Sequence, residues 1–281
     1  MSKAYAKVNL SLDVTGINKN GYHLLDMVNC TISLHDTIKI KYDKHKNDII
    51  ITSQNKQIPL DETNSVYKVI LKFKNSFNIS CGIYVSIDKK IPLGAGLGGG
   101  SSDASCVLKE LNKHFNTKMT PFDMIRFIAS ISSDSPYLIY GHLARVKGIG
   151  DQVSPIKKHF PYKLFIVKPK SSCLTKDIFS SYSLKNSKHI NTNKIIHAIK
   201  EEDFALLKKH LDNVLTDTAI SLNNDIKDCL NDLKMCGFEI VRMSGSGSTC
   251  FGISTSSLPY KKAKKLFNKD KYDLCKTYKV N

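Results

Sequence analysis

The glycine-rich segment from residue 92 to residue 104 is the strongest constraint on what this chain can fold into. Its five glycines follow an alternating apolar stretch at 82–88 and precede apolar residues at helical spacing from Ala104 to Phe115. Glycine permits positive φ angles and close backbone approach, and the first N–H groups of a helix have no partner within that helix. The segment therefore predicts an anion-binding loop between a strand and a helix, suited to a nucleotide phosphate.

Known glycine motifs narrow this interpretation. Gly94, Gly96 and Gly99 fit G-x-G-x-x-G, which alone is a weak indication of dinucleotide binding. No lysine follows Gly99 or Gly100, so the loop is not a Walker A motif, and the H-R-D and D-F-G triplets of protein kinases are absent from the sequence. A plain strand-to-helix turn remains the competing interpretation, but such a turn requires only one or two glycines.

Length and composition predict a globular protein of two domains, 1–154 and 155–281. The chain has 281 residues, of which 41% are hydrophobic and 24% charged. Its net charge of +17 would attract polyanions, including ATP. The lysines are scattered and the aromatic residues do not alternate with them as stacking platforms would, so we expect no nucleic-acid partner.

The cysteines, histidines and apolar runs exclude several other classes of protein. Eight cysteines form no C-x-x-C pair and nine histidines form no H-x-x-x-H pair, which predicts buried thiols and no zinc site. No apolar run approaches ~20 residues, and the chain enters a strand pattern at once. We therefore expect a cytoplasmic protein without membrane contact, either a monomer or a weak homodimer.

Periodicity along the chain predicts an α+β fold. Residues 5–14 alternate as a strand that places Lys7 and Asn9 on one face, and two further strands are predicted at 27–34 and 37–42. Asn64 is expected to cap a helix. Residues 137–146 suggest a strand and a turn, three or four helices follow between 176 and 235, and a glycine-serine turn at 244–248 separates two strands.

Three separated segments, 6–10, 92–104 and 243–248, together resemble the three motifs of the GHMP small-molecule kinases, and the resemblance covers nearly the whole chain. It implies an N-terminal domain with a ribosomal protein S5 domain-2-like fold and a ferredoxin-like C-terminal domain. It further implies that ATP and substrate meet between these domains, with Mg²⁺ as the accompanying ion.

Gly21-Tyr22-His23 is similar to the corresponding segment of one subfamily of these kinases. That similarity implies phosphorylation of the 2-hydroxyl of a diol linked to cytidine diphosphate, in non-mevalonate isoprenoid precursor synthesis. Tyr22 offers a ring that can stack on cytosine, and His23 offers a donor or acceptor for the edge of the base. The competing interpretation is an ordinary exit from a β-turn.

The catalytic aspartate of the family lies in a G-A/S-D-V/I-P segment, which here is Ser132-Ser133-Asp134-Ser135-Pro136. Asp134 matches, whereas Ser132 and Ser135 depart from the pattern and leave the local backbone geometry open. By resemblance, Asp134 accepts the proton of the substrate hydroxyl and Lys7 keeps the carboxylate ionised. The alternatives are a turn aspartate and a solvated strand lysine.

The remaining site assignments follow from the chemistry of the residues together with the resemblance. Ser102 is expected to bind Mg²⁺, unless Ser101 or Ser102 only caps the helix. Asp103 should face away from phosphate or meet the metal. Substrate binding is expected from Asn9, Tyr22, His23, Gly245 and Ser246, although 245–248 could be a plain hairpin turn. ATP binding is expected from Pro92, Leu93, Gly94, Ala95, Gly96, Leu97, Gly98, Gly99, Gly100, Ser101, Ser102 and Lys89, the last of which could equally be a surface lysine.

Two other functions are considered. A related kinase could act on a mevalonate- or homoserine-type alcohol, and a non-catalytic basic protein could use the same fold to bind nucleic acid. A panel of alcohol substrates separates the kinases, and the salt dependence of DNA binding tests the nucleic-acid alternative.

Overall fold

The computed structural model describes residues 1–132, 134–184, 188–268 and 270–280. Runs of strands and runs of helices follow one another through the described residues, which confirms the predicted α+β class. The strands are β1 (Ser2–Ile17), β2 (His23–Asp43), β3 (Ile49–Ser53), β4 (Gly82–Asp88), β5 (Ala144–Gly148), β6 (Gln152–Pro155), β7 (Leu164–Pro169), β8 (Ile240–Met243), β9 (Cys250–Ile253) and β10 (Tyr272–Tyr278). The helices are α1 (Ser65–Phe77), α2 (Gly99–His114), α3 (Pro121–Ile128), α4 (Ser135–Tyr140), α5 (Thr175–Ser181), α6 (Thr192–Lys200), α7 (Phe204–His210), α8 (Thr216–Leu222), α9 (Asn224–Met235) and α10 (Leu258–Leu266).

The chain divides into two compact units that are not continuous in sequence. Unit 1 comprises Met1–Ala6, Leu34–Ile91 and Gly98–Gly141, and unit 2 comprises Lys7–Ser33, Pro92–Leu97 and His142–Asn281. The strands β1 and β2 therefore contribute residues to both units. The domain boundary expected near residue 154 stays a prediction.

Unit 1 packs helices α1 to α4 with β3, β4 and the second half of β2. The strand β4 pairs antiparallel with Thr37–Asp43 of β2 and parallel with β3. As predicted, Asn64 caps α1, because its side chain accepts a hydrogen bond from the backbone N–H of Val66 at 2.8 Å. The apolar stripe expected after the glycine loop is buried in the same core, at Ala104, Val107, Leu108 and Leu111.

Unit 2 contains a four-stranded antiparallel sheet in the order β10-β7-β9-β8. From β7 onward, the elements follow the order strand, helices, two strands, helix and strand. This is the βαββαβ order of a ferredoxin-like domain. The first half of β2 also lies in this unit, where Leu25–Asn29 pairs antiparallel with β5, and β5 pairs with β6.

Three predicted elements differ from the structure. The two strands expected at 27–34 and 37–42 are one continuous strand, β2, because neither Gly nor Pro interrupts it and the polar Asp36 finds backbone partners. The strand predicted over 137–146 is confirmed only for 144–146, which belong to β5, and is wrong for 137–140, which lie in α4. Pro136 favours the first turn of that helix, and Gly141, with φ +67°, is its C-cap. Among the described residues of this stretch, five helices, α5 to α9, replace the three or four expected between 176 and 235.

The predictions about the cysteines and about membrane-spanning helices can be compared with the described part of the chain. Six of the eight cysteines are buried, and Cys173 and Cys275 are partly buried, so the predicted thiol burial is largely confirmed. Among the described residues, no helix is both long enough and apolar enough to span a membrane.

Candidate active site

The glycine loop has the backbone conformation that its sequence predicts. Gly94, Gly96 and Gly98 adopt φ angles of +57°, +70° and +68°, which residues with a side chain rarely adopt. Gly98 is the N-cap of α2 and offers no capping side chain. Ser101 and Ser102 lie inside the first turn of the helix, so the alternative that either serine is the N-cap is wrong. The start of α2 therefore presents backbone N–H groups that suit an anion.

Gly96 packs against the second glycine-serine turn within unit 2. A Cβ atom built at this position would lie 2.8 Å from the carbonyl oxygen of Gly247 and 2.9 Å from that of Ser244. Backbone atoms cannot retreat as the end of a flexible side chain can. Two segments that the sequence marked separately, 92–97 and 244–248, are thus in direct backbone contact.

We expect Gly96→Ala to lower the free energy of unfolding by at least about 2 kcal/mol, because it combines a positive φ with a clash against two carbonyl groups. Gly100→Ala is the matched control, since a Cβ there has no atom within 4 Å and alanine favours the helix. Urea unfolding of both variants measures the effect. Equal unfolding midpoints for the two variants would contradict this packing.

Lys7 and Asn9 form a buried polar pair on β1. Lys7 is only 4% exposed, and its Nζ donates a hydrogen bond to Asn9 Oδ1 at 2.6 Å. The side chain of Asn9 also donates to Asn29 Oδ1 at 2.7 Å, and its backbone N–H donates to Ser244 Oγ at 3.1 Å. A Cβ at Gly245 would lie 3.0 Å from Asn9 Oδ1. The structure thus brings Lys7, Asn9 and Gly245 together, and the solvated-lysine alternative is wrong.

Asn213 fixes the turn at 244–248, and sequence reasoning assigned it no role. Its Nδ2 donates to the carbonyl oxygens of Met243 and Gly245 at 2.9 and 2.8 Å. The hydroxyl of Ser246, a predicted substrate contact, lies 2.9 Å from Thr175 Oγ1. These contacts hold the turn by side chains from outside it, and the role of the turn in substrate binding stays a prediction.

His23 lies in an aromatic cluster whose other members the sequence did not indicate. Its ring centroid is 5.0 Å from that of Phe179 and 6.5 Å from that of Tyr182. Burial lowers the pKa of His23, so its imidazole is neutral at pH 7 and can both donate and accept a hydrogen bond. Tyr22 is 63% exposed, and its backbone N–H donates to Asn18 Oδ1 at 2.9 Å. No local pattern could link positions so far apart in sequence.

Asp134 lies in unit 1 at the N-cap position of α4. Its φ and ψ are −83° and −20°, and its side chain makes no capping hydrogen bond. This position at the end of a helix agrees with the competing interpretation of Asp134 as a helix-end or turn aspartate. Ser133, beside it, lies outside the described residues. Because Lys7 belongs to unit 2, the predicted pairing of Lys7 with Asp134 stays a prediction.

The two serines that depart from the family pattern connect the Asp134 segment to the start of α2. The hydroxyls of Ser132 and Ser101 lie 2.5 Å apart. Ser105 Oγ donates to the carbonyl oxygens of Ser101 and Ser135, at 2.8 and 3.1 Å, and Ser135 Oγ contacts the carbonyl oxygen of Ser101 at 3.5 Å. Hydroxyls at both departures therefore support the local backbone that carries Asp134.

The predicted metal ligand and its charged neighbours are buried. Ser102 Oγ donates to the carbonyl oxygen of Tyr5 at 2.7 Å, which leaves its lone pairs able to bind a hard cation such as Mg²⁺. Within the described part of the chain, no group of three or more His, Cys, Asp or Glu residues could hold a metal ion. Asp103 is buried and paired with Lys89. The role of Lys89 in ATP binding stays a prediction.

Comparison with known proteins identifies the family. The model of the GHMP kinases N-terminal domain matches residues 64–142, and that of the GHMP kinases C-terminal domain matches residues 195–271. A protein of Clostridium tetani named 4-diphosphocytidyl-2-C-methyl-D-erythritol kinase is 39% identical over 95% of this chain and 96% of its own length. A protein of the same name from Clostridium botulinum (strain Alaska E43 / Type E3) is 37% identical over 96% and 95%.

Solved structures share the fold. A crystal structure of 4-(cytidine 5'-diphospho)-2C-methyl-D-erythritol kinase matches with a TM-score of 0.82 and 24% identity, covering 100% of this chain and 98% of that one. A homoserine kinase from Cytophaga hutchinsonii matches with a TM-score of 0.78 and 20% identity, covering 99% and 93%. The predicted two-domain α+β architecture is confirmed, and the chain belongs to the GHMP kinase family.

Proposed function

We propose that this GHMP kinase transfers the γ-phosphate of ATP to the 2-hydroxyl of 4-diphosphocytidyl-2-C-methyl-D-erythritol, a step of non-mevalonate isoprenoid precursor synthesis. The names of the clostridial relatives support the choice of substrate. The observation that carries it is the group of rings around His23, with Phe179 and Tyr182 at its side and Tyr22 next to it in sequence.

Recognition of cytosine requires a flat apolar face and polar groups for the edge of the base. Phe179 and the exposed ring of Tyr22 offer such faces, and the neutral imidazole of His23 offers one donor and one acceptor. Mevalonate and homoserine contain no base, so an aromatic cluster of this kind would gain nothing from them. The rings thus favour the cytidine-linked substrate over the other alcohols.

Phosphoryl transfer requires mainly alignment of the reactants and stabilisation of charge. The backbone N–H groups of residues 98–101 at the start of α2 would hold the phosphates of ATP, whereas that of Ser102 already donates to the carbonyl oxygen of Gly98. Mg²⁺ bound with ATP would neutralise phosphate charge, with the Ser102 hydroxyl as its candidate ligand.

Two side chains would act on the transferred proton and on charge. The Asp134 carboxylate would accept the proton of the substrate 2-hydroxyl as that oxygen attacks phosphorus. The Lys7 ammonium donates a hydrogen bond to Asn9, which fixes its direction, and its positive charge would stabilise the oxygens that gain charge. Burial makes this ammonium more effective than a solvated one.

Tyr22→Ala and His23→Ala should each raise the KM for the cytidine-linked substrate about tenfold, because stacking on an aromatic ring or contact with a base edge is worth roughly 1–3 kcal/mol. The KM for ATP should stay within about twofold of the wild-type value, since neither change touches the glycine loop. Steady-state kinetics with each substrate varied in turn provide the measurement. Equal rises in both KM values would contradict a pocket for the base.

A substrate panel tests the proposal as a whole. ATP consumption is measured with 4-diphosphocytidyl-2-C-methyl-D-erythritol, methylerythritol phosphate, mevalonate and homoserine side by side. Only the first should react efficiently, because the truncated substrate lacks the binding energy of the base. Efficient phosphorylation of mevalonate or homoserine would reassign the acceptor, and salt-sensitive binding to DNA without kinase activity would favour the nucleic-acid alternative. A cytoplasmic location and a monomeric or weakly dimeric state stay predictions.

A further inference from the structure

A buried cluster of three charged side chains lies in unit 1 beside the glycine loop. The Lys89 side chain is only 2% exposed, and its Nζ donates hydrogen bonds to the carboxylates of Asp36 and Asp103, to the latter at 2.8 Å. Both acids are also buried. Charges are removed from water in this way only when close partners compensate for the lost hydration.

Each acid of this cluster holds a different end of the loop. Asp36 Oδ1 accepts the backbone N–H groups of Lys90 and Ile91, at 2.5 and 2.8 Å, immediately before the loop begins at residue 92. Asp103 belongs to α2, the helix that begins where the loop ends. A single ammonium, that of Lys89, therefore joins the entry of the loop to its exit.

The start of α2 lies directly against this ammonium. A Cβ built on Gly99 would be 3.2 Å from Lys89 Nζ and 3.1 Å from Ile91 Cγ2. Only glycine fits there without displacing either neighbour. The position of the first helical turn is thus coupled to the position of the cluster.

The cluster contains one ammonium group and two carboxyl groups, and each affects the pKa of the others. Burial raises the pKa of the Asp103 carboxyl, although Lys89 opposes this shift. Burial alone would lower the pKa of Lys89, but Asp103 and Asp36 outweigh it and raise that pKa. Asp103 Oδ1 has no hydrogen-bond donor among the described residues, so the lysine is its carboxyl group's main support.

We propose that Lys89 is a positioning residue of the ATP-binding loop: held by Asp36 and Asp103, it fixes the spacing between the two ends of the loop and never contacts the nucleotide. The backbone N–H groups of residues 98–101 are thereby kept oriented for phosphate before ATP arrives. This inference rests on the proposed ATP-binding role of the loop. In this proposal Lys89 affects ATP binding through the position of the loop and not through a contact with phosphate.

Lys89 could position the loop or bind phosphate directly, and Asp103→Ala should change the Kd for the nucleotide in opposite directions in these two cases. If Lys89 positions the loop, loss of Asp103 frees one end and should raise the Kd for the β,γ-imido analogue of ATP about tenfold. If Lys89 binds phosphate directly, removal of the competing carboxylate should lower the Kd. Asp103→Asn keeps an oxygen acceptor for the ammonium and should stay within about threefold of wild type. Isothermal titration calorimetry with Mg²⁺ provides the measurement.

Lys74→Met is the matched control for a purely structural effect. Lys74 is another buried lysine of unit 1, and its Nζ donates to the carbonyl oxygens of Asn47 and Cys81, outside the loop. This variant should lower the melting temperature and leave the Kd unchanged. Should Asp103→Ala fail to fold, Gly99→Ala is the second variant, because its methyl group pushes the helix start off the cluster. It should raise the Kd at least about threefold.

An unchanged or lower Kd in a folded Asp103→Ala or Gly99→Ala variant would overturn the inference, as would an equal rise in Lys74→Met. The binding assay contains no acceptor alcohol. Wild-type protein that binds the nucleotide but does not phosphorylate the cytidine-linked diol would overturn the proposed function alone, and the variants would still decide the role of Lys89. Wild-type protein that does not bind the nucleotide would overturn both.

Discussion

Asp134→Asn should lower kcat at least about 100-fold, because the amide cannot accept the proton of the substrate hydroxyl. The KM for ATP should change little, since the side chain makes no capping bond and the amide has the same shape. Lys7→Met should lower kcat by a similar factor, about 100-fold, through the loss of a buried ammonium that stabilises developing charge.

Asp217→Asn is the matched control for this pair, because Asp217 is an exposed acid on α8 with no assigned role in the site. Its kcat should equal the wild-type value. Melting temperatures of all three variants test whether each is folded, since Lys7→Met also leaves Asn9 Oδ1 without its donor. A near wild-type kcat in a folded Asp134→Asn variant would remove this aspartate from the mechanism.

Gly100→Leu should weaken ATP binding at least about tenfold while the protein stays folded, because its side chain would project from the first turn of α2, where a Cβ atom meets nothing within 4 Å. The melting temperature should not fall, since leucine is a better helix former than glycine. Calorimetric titration with the β,γ-imido analogue of ATP measures the affinity.

Gly100→Ala is the graded control for this position, and it should weaken binding less than leucine because its side chain is smaller. Unchanged affinity in a folded Gly100→Leu variant would mean that the phosphates do not approach this turn. Gly98, by contrast, is a poor test site: with φ +68°, any side chain there strains the backbone, so that lost affinity could not be separated from lost stability.

The comparison of positions 98 and 100 shows how far sequence reasoning about the site could go. The five glycines predicted the loop and its chemistry, but the sequence alone offered no reason to assign different roles to them. The structure separates them: three have positive φ, Gly99 is pressed against Lys89 and Ile91, and Gly100 faces open space. Backbone angles and neighbours depend on the folded chain, so no pattern in the loop itself could make this distinction.

The sequence by itself determined the features that arise from neighbouring residues. These are the glycine loop, the Asn64 cap, the apolar stripe of α2, the α+β class and the family. Each depends on periodicity, on a local hydrogen bond or on a contiguous motif, and such signals are complete within a short segment. The loop and the helix after it were predictable for this reason.

The tertiary structure alone decided which distant residues support the site. The ring of Phe179 packs near that of His23, which is 156 positions away in the sequence. Asn213 fixes the turn at 244–248 by hydrogen bonds. Asp36 accepts hydrogen bonds from the backbone before the loop, at a sequence separation of 54 residues or more. The tertiary structure also showed that Lys89 is a buried partner of two acids, although its sequence context suits a surface lysine equally well. Such contacts depend on how the strands pair and the helices pack, because a side chain's partner across the fold leaves no signal in the sequence around it.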